Sequence, residues 1–156
     1  MNKEDVIKLY KAISTEKTKG NVKFRYTLIK NEGVIKQEIE ALIELENDIE
    51  KVLEPFTKAR NELIKKIGVL DKDKNTYQIP KGDDKRVNEF IEALKPIQEK
   101  YKKIIDEHNK KLKEYMDVLK EELGTPLKFT EVKIEDCPQD LATESLEIFM
   151  RSKIIK

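Results

Sequence analysis

Apolar residues recur at steps of seven along two long stretches of the chain, residues 22–67 and 84–123. In a helix of about 3.6 residues per turn, this spacing keeps the apolar side chains on one face. We therefore expect each stretch to be one long helix that buries a narrow apolar stripe. The residues at steps of seven are Leu28, Ile35, Leu42, Ile49, Phe56 and Leu63 in the first stretch, and Val87, Leu94, Tyr101, His108 and Tyr115 in the second.

The segment between the two stretches, residues 68–83, is too rich in Gly, Pro, Asp and Asn to continue a helix. It must reverse the chain, so the two long helices are expected to pair as the antiparallel arms of a coiled-coil-like hairpin. Residues 69–70 and 77–79 flank a polar tip, which predicts a small β-hairpin at the reversal. Asp83 is the expected N-cap of the second arm.

The prolines and charges of the two arms predict their register. If Ile67 lies opposite Asp84, paired residue numbers sum to about 151, and Pro55 and Pro96 then lie at the same level. Because proline removes a backbone donor and kinks a helix, we expect the two arms to bend together there. The charges agree, since the acidic residues 38–51 would face the lysine-rich residues 100–113.

The two ends of the chain predict shorter elements. Residues 1–16 are typical of a short helix capped by Asn2, and residues 127–156 predict a strand over 127–134 followed by a short helix. The fold class is therefore mainly α: a kinked two-helix hairpin with a β-hairpin at its tip and short terminal elements. At 156 residues, we expect a single domain over 1–156.

Composition and charge exclude several classes of protein. Charged residues make up 40% of the sequence, but the regular stripes favour long solvated helices over disorder. The net charge is only +1, so the chain has no overall positive field for nucleic acid. A single cysteine excludes an internal disulfide. No apolar run approaches membrane-spanning length and the start lacks a signal-peptide core, so we expect a cytoplasmic protein without a membrane partner.

No constellation of residues predicts catalysis, a cofactor or a metal. Asp71, Asp73 and Asn75 imitate the start of a calcium loop, but its glycine and its final glutamate are missing, so the segment predicts a turn. His108 lies on an apolar row without a second His or a Cys within helical reach, and Glu107 and Glu114 are too few and badly faced for a metal site, which predicts a polar residue within the helix seam. Cys137 lies among acidic residues that discourage a thiolate. We therefore expect a protein that is not an enzyme.

One basic segment is a candidate binding surface. Cations alternate with aromatic residues between positions 17 and 30, as a surface for phosphates or stacked bases requires. Against this hypothesis, the apolar stripe also needs Phe24 and Leu28. The candidate binding residues are Lys17, Lys19, Lys23, Arg25, Tyr26 and Lys30.

Four short motifs also suggest a family resemblance. They are KFRYTLIKN at 23–31, RNEL at 60–63, NTYQI at 75–79 and KIEDCP at 133–138. Together they resemble a group of short uncharacterised helical proteins encoded by phages and prophages. The resemblance covers residues 22–150 and implies a mobile-element protein of unassigned role, from which no catalytic residue can be carried over. A looser likeness, in layout alone, is to prefoldin subunits.

These observations predict a phage-encoded protein that binds another protein, from phage or host, through helical surface. It would act as an assembly factor or as an inhibitor of a host defence system. Because a two-helix seam buries little area, we also expect either packing by the terminal segments or self-association as an oligomer. The alternatives are a binder of nucleic acid or a signalling nucleotide through residues 17–30, and a prefoldin-like chaperone that works without ATP.

Overall fold

The computed structural model describes every residue from Met1 to Lys156 and is mainly α-helical. This confirms the predicted fold class at the level of a mainly helical chain with one small antiparallel sheet, although the chain has five helices where four were predicted. The chain folds into two compact units, residues 1–45 with 115–156 (unit 1) and residues 46–114 (unit 2). In chain order the elements are α1 (Lys3–Glu16), α2 (Val22–Ile67), β1 (Val69–Asp71), β2 (Thr76–Gln78), α3 (Asp84–Lys100), α4 (Lys102–Lys120), a 3-10 turn (Ile134–Asp136) and α5 (Thr143–Arg151).

Unit 1 contains the main hydrophobic core. Helix α1 begins where the side chain of Asn2 accepts a hydrogen bond from the amide of Asp5 at 2.8 Å, the predicted cap. Its apolar face packs with the first part of α2, with α5 and with the C-terminal residues. The fully or almost fully buried residues of this core are Val6, Leu9, Ala12, Ile13, Phe24, Leu28, Ile35, Ile39, Val132, Ile148, Phe149, Ile154 and Ile155.

A buried asparagine joins α2 to the segment that follows α4. Asn31 has no exposed surface, and it lies on the same face of α2 as Leu28 and Ile35. Its amide nitrogen donates to the Thr130 carbonyl at 2.9 Å, and its Oδ1 accepts from the Thr130 amide at 2.7 Å. One side chain therefore pairs with both backbone groups of a residue, as a neighbouring strand would.

The prediction of a strand over 127–134 was wrong, because the structure has no β-strand in this segment. The segment has no continuous ladder partner and forms one isolated parallel bridge, between Val132 and Ile155. The amide of Val132 donates to the carbonyl of Ile154 at 2.8 Å, and the amide of Lys156 donates to the carbonyl of Val132 at 3.0 Å. Just before this bridge, the Asn31 side chain takes the place of a strand, which explains why an extended stretch forms without a sheet.

The reversal in unit 2 is the predicted β-hairpin, with Leu70 paired to Tyr77. Its tip is a turn in which the Asp71 carboxylate accepts hydrogen bonds from the amides of Asp73 and Lys74 at 3.0 and 3.3 Å. Asn75 has φ 51°, a left-handed conformation that asparagine tolerates well. At Gly68 an added Cβ would lie 2.5 Å from a backbone oxygen, so only glycine fits.

The second arm is not one helix over 84–123, as predicted, but two. Helix α3 begins at the predicted cap, where Asp83 accepts from the amide of Arg86 at 3.1 Å, and it contains Pro96. It ends at Lys100, and the next residue, Tyr101, has a φ of −102° and a ψ of 14°, which depart from helical values. The break follows Pro96, which cannot donate a helical hydrogen bond. Helix α4 then ends at Lys120, earlier than predicted.

Contacts within unit 2 test the predicted register. Near the reversal, the guanidinium carbon of Arg60 lies 5.9 Å from the centroid of the Phe90 ring. The residue numbers of this pair sum to 150. Farther along, the rings of Phe56 and Tyr101 meet edge to face at 6.4 Å, and their numbers sum to 157. The sum of 151 therefore fits only near the reversal. The register changes between Phe90 and Tyr101, the stretch of α3 that contains Pro96 and leads to the break before α4.

Candidate functional site

Ion pairs neutralise much of the predicted basic segment. Lys17 bonds to Glu32 at 2.6 Å and Lys23 to Asp136 at 2.5 Å. Lys19 bonds at 2.9 Å to Glu16, and this hydrogen bond holds the pKa of the Lys19 ammonium above its ordinary value. Three of the predicted cations therefore already serve contacts within the chain.

The remaining candidate residues are exposed on α2. Arg25 and Lys30 point to solvent, and Tyr26 is 58% exposed with the Lys30 ammonium 6.0 Å from its ring centroid. Phe24 is instead fully buried and meets Phe149 edge to face at 6.5 Å. The alternation of cations and aromatics in the sequence is thus divided between the core and the surface.

An exposed apolar row on α2 is the more extensive surface. It lies opposite the buried row that contains Phe24, Leu28 and Ile35, and its members follow one another at steps of four and three. The sequence analysis missed this row, although Val22, Ile29, Lys36 and Ile43 recur at steps of seven. We define it as the outer face of α2; its residues are Val22, Tyr26, Ile29, Gly33, Lys36, Glu40 and Ile43.

The apolar residues of the outer face are large and open to solvent. Val22 is 81% exposed, Ile29 54% and Ile43 43%, in addition to Tyr26. Single exposed apolar residues are common on proteins and need no partner. Here, however, helical spacing aligns four of them along one helix.

A shallow groove of about 380 Å³ lies along the outer face. Ile29, Gly33 and Ile43 line it, and so does Tyr10 of α1. A Cβ added at Gly33 would meet no atom within 4 Å, so no contact within the chain requires glycine there. Beyond Gly33, Lys36 and Glu40 form an ion pair at 3.7 Å.

The β-hairpin of unit 2 carries a second, smaller apolar surface. Val69, Leu70 and Tyr77 are each 40–45% exposed, and Leu70 and Tyr77 are direct cross-strand partners. The sheet has only these two strands, so each strand has an unpaired edge. Such edges accept an extended peptide in many complexes.

The residues considered for site chemistry have structural contacts. His108 is 8% exposed, and its Nε2 lies 3.5 Å from Glu50 without forming a hydrogen bond. Burial, with a smaller effect of Asp136, raises the pKa of the Cys137 thiol. No group of three or more His, Cys, Asp or Glu side chains converges to hold a metal ion.

Glu16 is a buried carboxylate that the sequence analysis overlooked. It has no exposed surface and accepts hydrogen bonds from the Ser145 hydroxyl at 3.1 Å and the Ala142 amide at 3.4 Å. Its other oxygen contacts Lys19, as described above. The signal was present, since Glu16 continues the apolar face of α1 after Leu9 and Ile13. These contacts hold α1 against the start of α5, which is a structural role.

The comparisons with known proteins add no relative. No family model matches the chain, and neither the curated proteins nor the solved structures contain a match. None of the helices is long and apolar enough to cross a membrane.

Proposed function

We propose that this chain is a non-enzymatic protein that works by binding other proteins through exposed apolar surface. The observation that carries the proposal is the outer face of α2, with four large apolar residues aligned opposite the core. Here an amphipathic helix keeps a second apolar face in water. Covering that face with another protein removes apolar surface from water and so lowers the free energy.

The resemblance to phage and prophage proteins supports a more specific role. In this proposal the chain is phage-encoded and acts in the host cell, as an assembly factor or as an inhibitor of a host defence system. We further propose that the arms in unit 2 form a kinked, antiparallel, coiled-coil-like hairpin that presents the β-hairpin surface.

Binding of a nucleic acid or nucleotide is the second candidate function. Exposed Arg25, Tyr26 and Lys30 favour it, because a ring flanked by cations suits a stacked base. The ion pairs of Lys17, Lys19 and Lys23 weaken it, since a phosphate would have to displace a carboxylate from each ammonium. A binder of this class would lose affinity steeply with salt, whereas an apolar interface would not.

Affinity capture with matched variants tests the leading proposal. The tagged chain is expressed in host cells during phage infection, and each captured protein is then purified and titrated against the chain. Ile29→Asp alters the outer face, Leu70→Asp alters the hairpin surface, and Ile134→Asp is the control, since Ile134 is 57% exposed and lies on neither surface.

We expect one of the first two variants to weaken binding about tenfold or more, because a charge replaces an apolar contact. The control should bind like the unaltered chain. A captured virion protein would favour assembly, and a captured host enzyme would favour inhibition. If no captured protein binds the purified chain directly, or if all three variants bind equally well, the proposal is wrong.

A further inference from the structure

The outer face of α2 has the spacing of a coiled-coil seam. Its residues alternate steps of three and four from Tyr26 to Ile43, which is the heptad pattern of a helix that packs along another helix. The buried row on the other side of α2 already packs in the core of unit 1. The outer face therefore has the spacing for one more helix.

The charges along the segment 22–45 of α2 are self-complementary. Residues 22–30 contain Lys23, Arg25 and Lys30 and no acid, whereas residues 38–45 contain Glu38, Glu40 and Glu44 and no base. A helical segment with one basic end and one acidic end pairs best with an antiparallel copy of itself, because each end then meets its opposite.

We infer that the outer face of α2 binds the outer face of α2 in a second copy of this chain, in antiparallel orientation about a two-fold axis. In this arrangement, facing seam residues have numbers that sum to 69. Tyr26 packs on Ile43 of the second copy, and Ile29 lies opposite the aliphatic stem of Glu40. The inference rests on the proposed function, since it names the protein that covers this surface.

A register with a sum of 69 suits both the apolar residues and the charges. Lys23 then lies alongside Glu44 of the second copy, which adds a second carboxylate to that of Asp136 in its own chain. A shift to a sum of 62 would place Lys30 beside Lys30 of the other copy and Glu32 beside Glu32. Both of these like-charge pairs are repulsive. A parallel arrangement would place Lys36 against Lys36 and Glu40 against Glu40.

Gly33 fits this register. It faces Lys36 of the second copy, and the open space above it accommodates the lysine stem. The ammonium of Lys36 stays beside Glu40 of its own helix, 3.7 Å away, so the charges in the middle of the seam remain paired. A glycine within a helix costs about 1 kcal/mol relative to alanine, and nothing within the chain explains its presence.

Sedimentation equilibrium of the purified chain tests the inference. We expect a mass that rises with concentration from 18.3 kDa toward twice that value. Ile29→Asp should abolish the rise, whereas Ile134→Asp should leave it unchanged. A chain that stays monomeric up to about 1 mM overturns the inference, because a weaker interaction would not be specific.

Opposite charges at Gly33 test the register. Glutamate and lysine are both good helix formers, so neither substitution should destabilise the monomer. Both side chains fill the space above Gly33, so the comparison between the two variants isolates the effect of charge. Gly33→Glu places a carboxylate opposite Lys36 of the second copy and Gly33→Lys an ammonium, so the glutamate variant should dimerise at least about fivefold more tightly than the lysine variant through its two symmetry-related pairs. If the two variants dimerise equally well, or if the lysine variant dimerises more tightly, this register is wrong.

Cysteine cross-linking gives an independent test in a Cys137→Ser background. Tyr26→Cys mixed with Ile43→Cys should form a disulfide-linked heterodimer on oxidation. Tyr26→Cys alone should not cross-link, because its two copies would lie about 26 Å apart along antiparallel helices. Cross-linking of Tyr26→Cys to itself would overturn the antiparallel arrangement.

These outcomes separate the inference from the proposed function. A monomeric chain whose foreign partner is lost on Ile29→Asp refutes the self-association and leaves the proposed function intact. A chain that dimerises in the predicted register but captures no other protein supports the self-association and refutes the binding of a foreign partner.

Discussion

Replacement of Asn31 tests how unit 1 is held together. Asn31 is fully buried, and it makes two hydrogen bonds with the backbone of Thr130 at 2.7 and 2.9 Å. In Asn31→Ala both bonds are lost and the two backbone groups of Thr130 keep no protein partner. Thr130 itself is exposed, so water can replace part of what is lost.

The expected loss of stability follows from these two bonds. Each contributes about 1 kcal/mol net, and the space left by the amide adds to this, so we expect a loss of about 2 to 3 kcal/mol. For a chain of this length, that loss lowers the melting temperature by roughly 5 to 10 °C. Thermal and urea unfolding followed by circular dichroism measure both quantities.

Asn31→Asp should be worse than alanine at neutral pH. A carboxylate can accept from the Thr130 amide but cannot donate to its carbonyl, and burial favours the protonated form. The pKa of the introduced carboxyl is therefore higher in the folded chain than in the unfolded chain. The penalty, measured against the unaltered chain, is largest above the folded pKa and shrinks as pH falls through it.

The control for Asn31 is Thr130→Ala, which removes a side chain but keeps both backbone groups. It should change stability by less than about 0.5 kcal/mol, the usual range for an exposed site. If Asn31→Ala also costs less than this, or if Thr130→Ala costs as much as Asn31→Ala, the reasoning about the backbone pairing is wrong.

Three further predictions concern single positions. Gly20→Ala should lower the free energy of unfolding by about 1 to 2 kcal/mol, because Gly20 has φ 73° and an added Cβ would lie 3.1 Å from ring carbons of Phe24 and Pro138. Gly33→Ala should raise the free energy of unfolding by up to about 1 kcal/mol, and urea unfolding measures both changes. Glu16→Ala should cost about 2 to 3 kcal/mol, and Glu16→Gln less, since glutamine can still accept from Ser145; equal losses would contradict this. Because burial raises the pKa of the Cys137 thiol, iodoacetamide should react with it more slowly in the folded than in the unfolded chain at pH 8; a faster reaction would contradict the assignment.

Much of the helical architecture could be predicted from periodicity and from residues that stop helices. The bounds of α2 in the structure, Val22–Ile67, match the predicted stretch, because Asn21 and Gly68 mark its two ends. The hairpin and its Asp71 turn also followed from local sequence. These features depend on neighbours in the chain, which a sequence displays directly.

The errors arose where distant residues decide the structure. The extended segment before Val132 has the alternation of a strand, but a strand needs a partner, and the partner here is one side chain 99 residues away. In the sequence, Glu16 and Asn31 interrupt the apolar faces of α1 and α2. In the fold they supply hydrogen bonds that join α1 and α2 to the C-terminal segments. Periodicity alone cannot show which polar residues find such partners.

The outer face of α2 shows a further limit, because α2 has two rows at steps of seven. The row with Leu28, Ile35 and Leu42 is uninterrupted and is buried in unit 1. The row with Ile29 and Ile43 is interrupted by Lys36, whose burial in the core of a monomer would cost several kcal/mol without a fully satisfying partner. An ion pair at the middle of a row therefore explains why this row stays outside the core. In the proposed contact between two copies, Lys36 lies above a glycine of the second copy and keeps its own Glu40. The same ion pair is tolerable there, so under this proposal one helix serves both the core of unit 1 and a reversible interface.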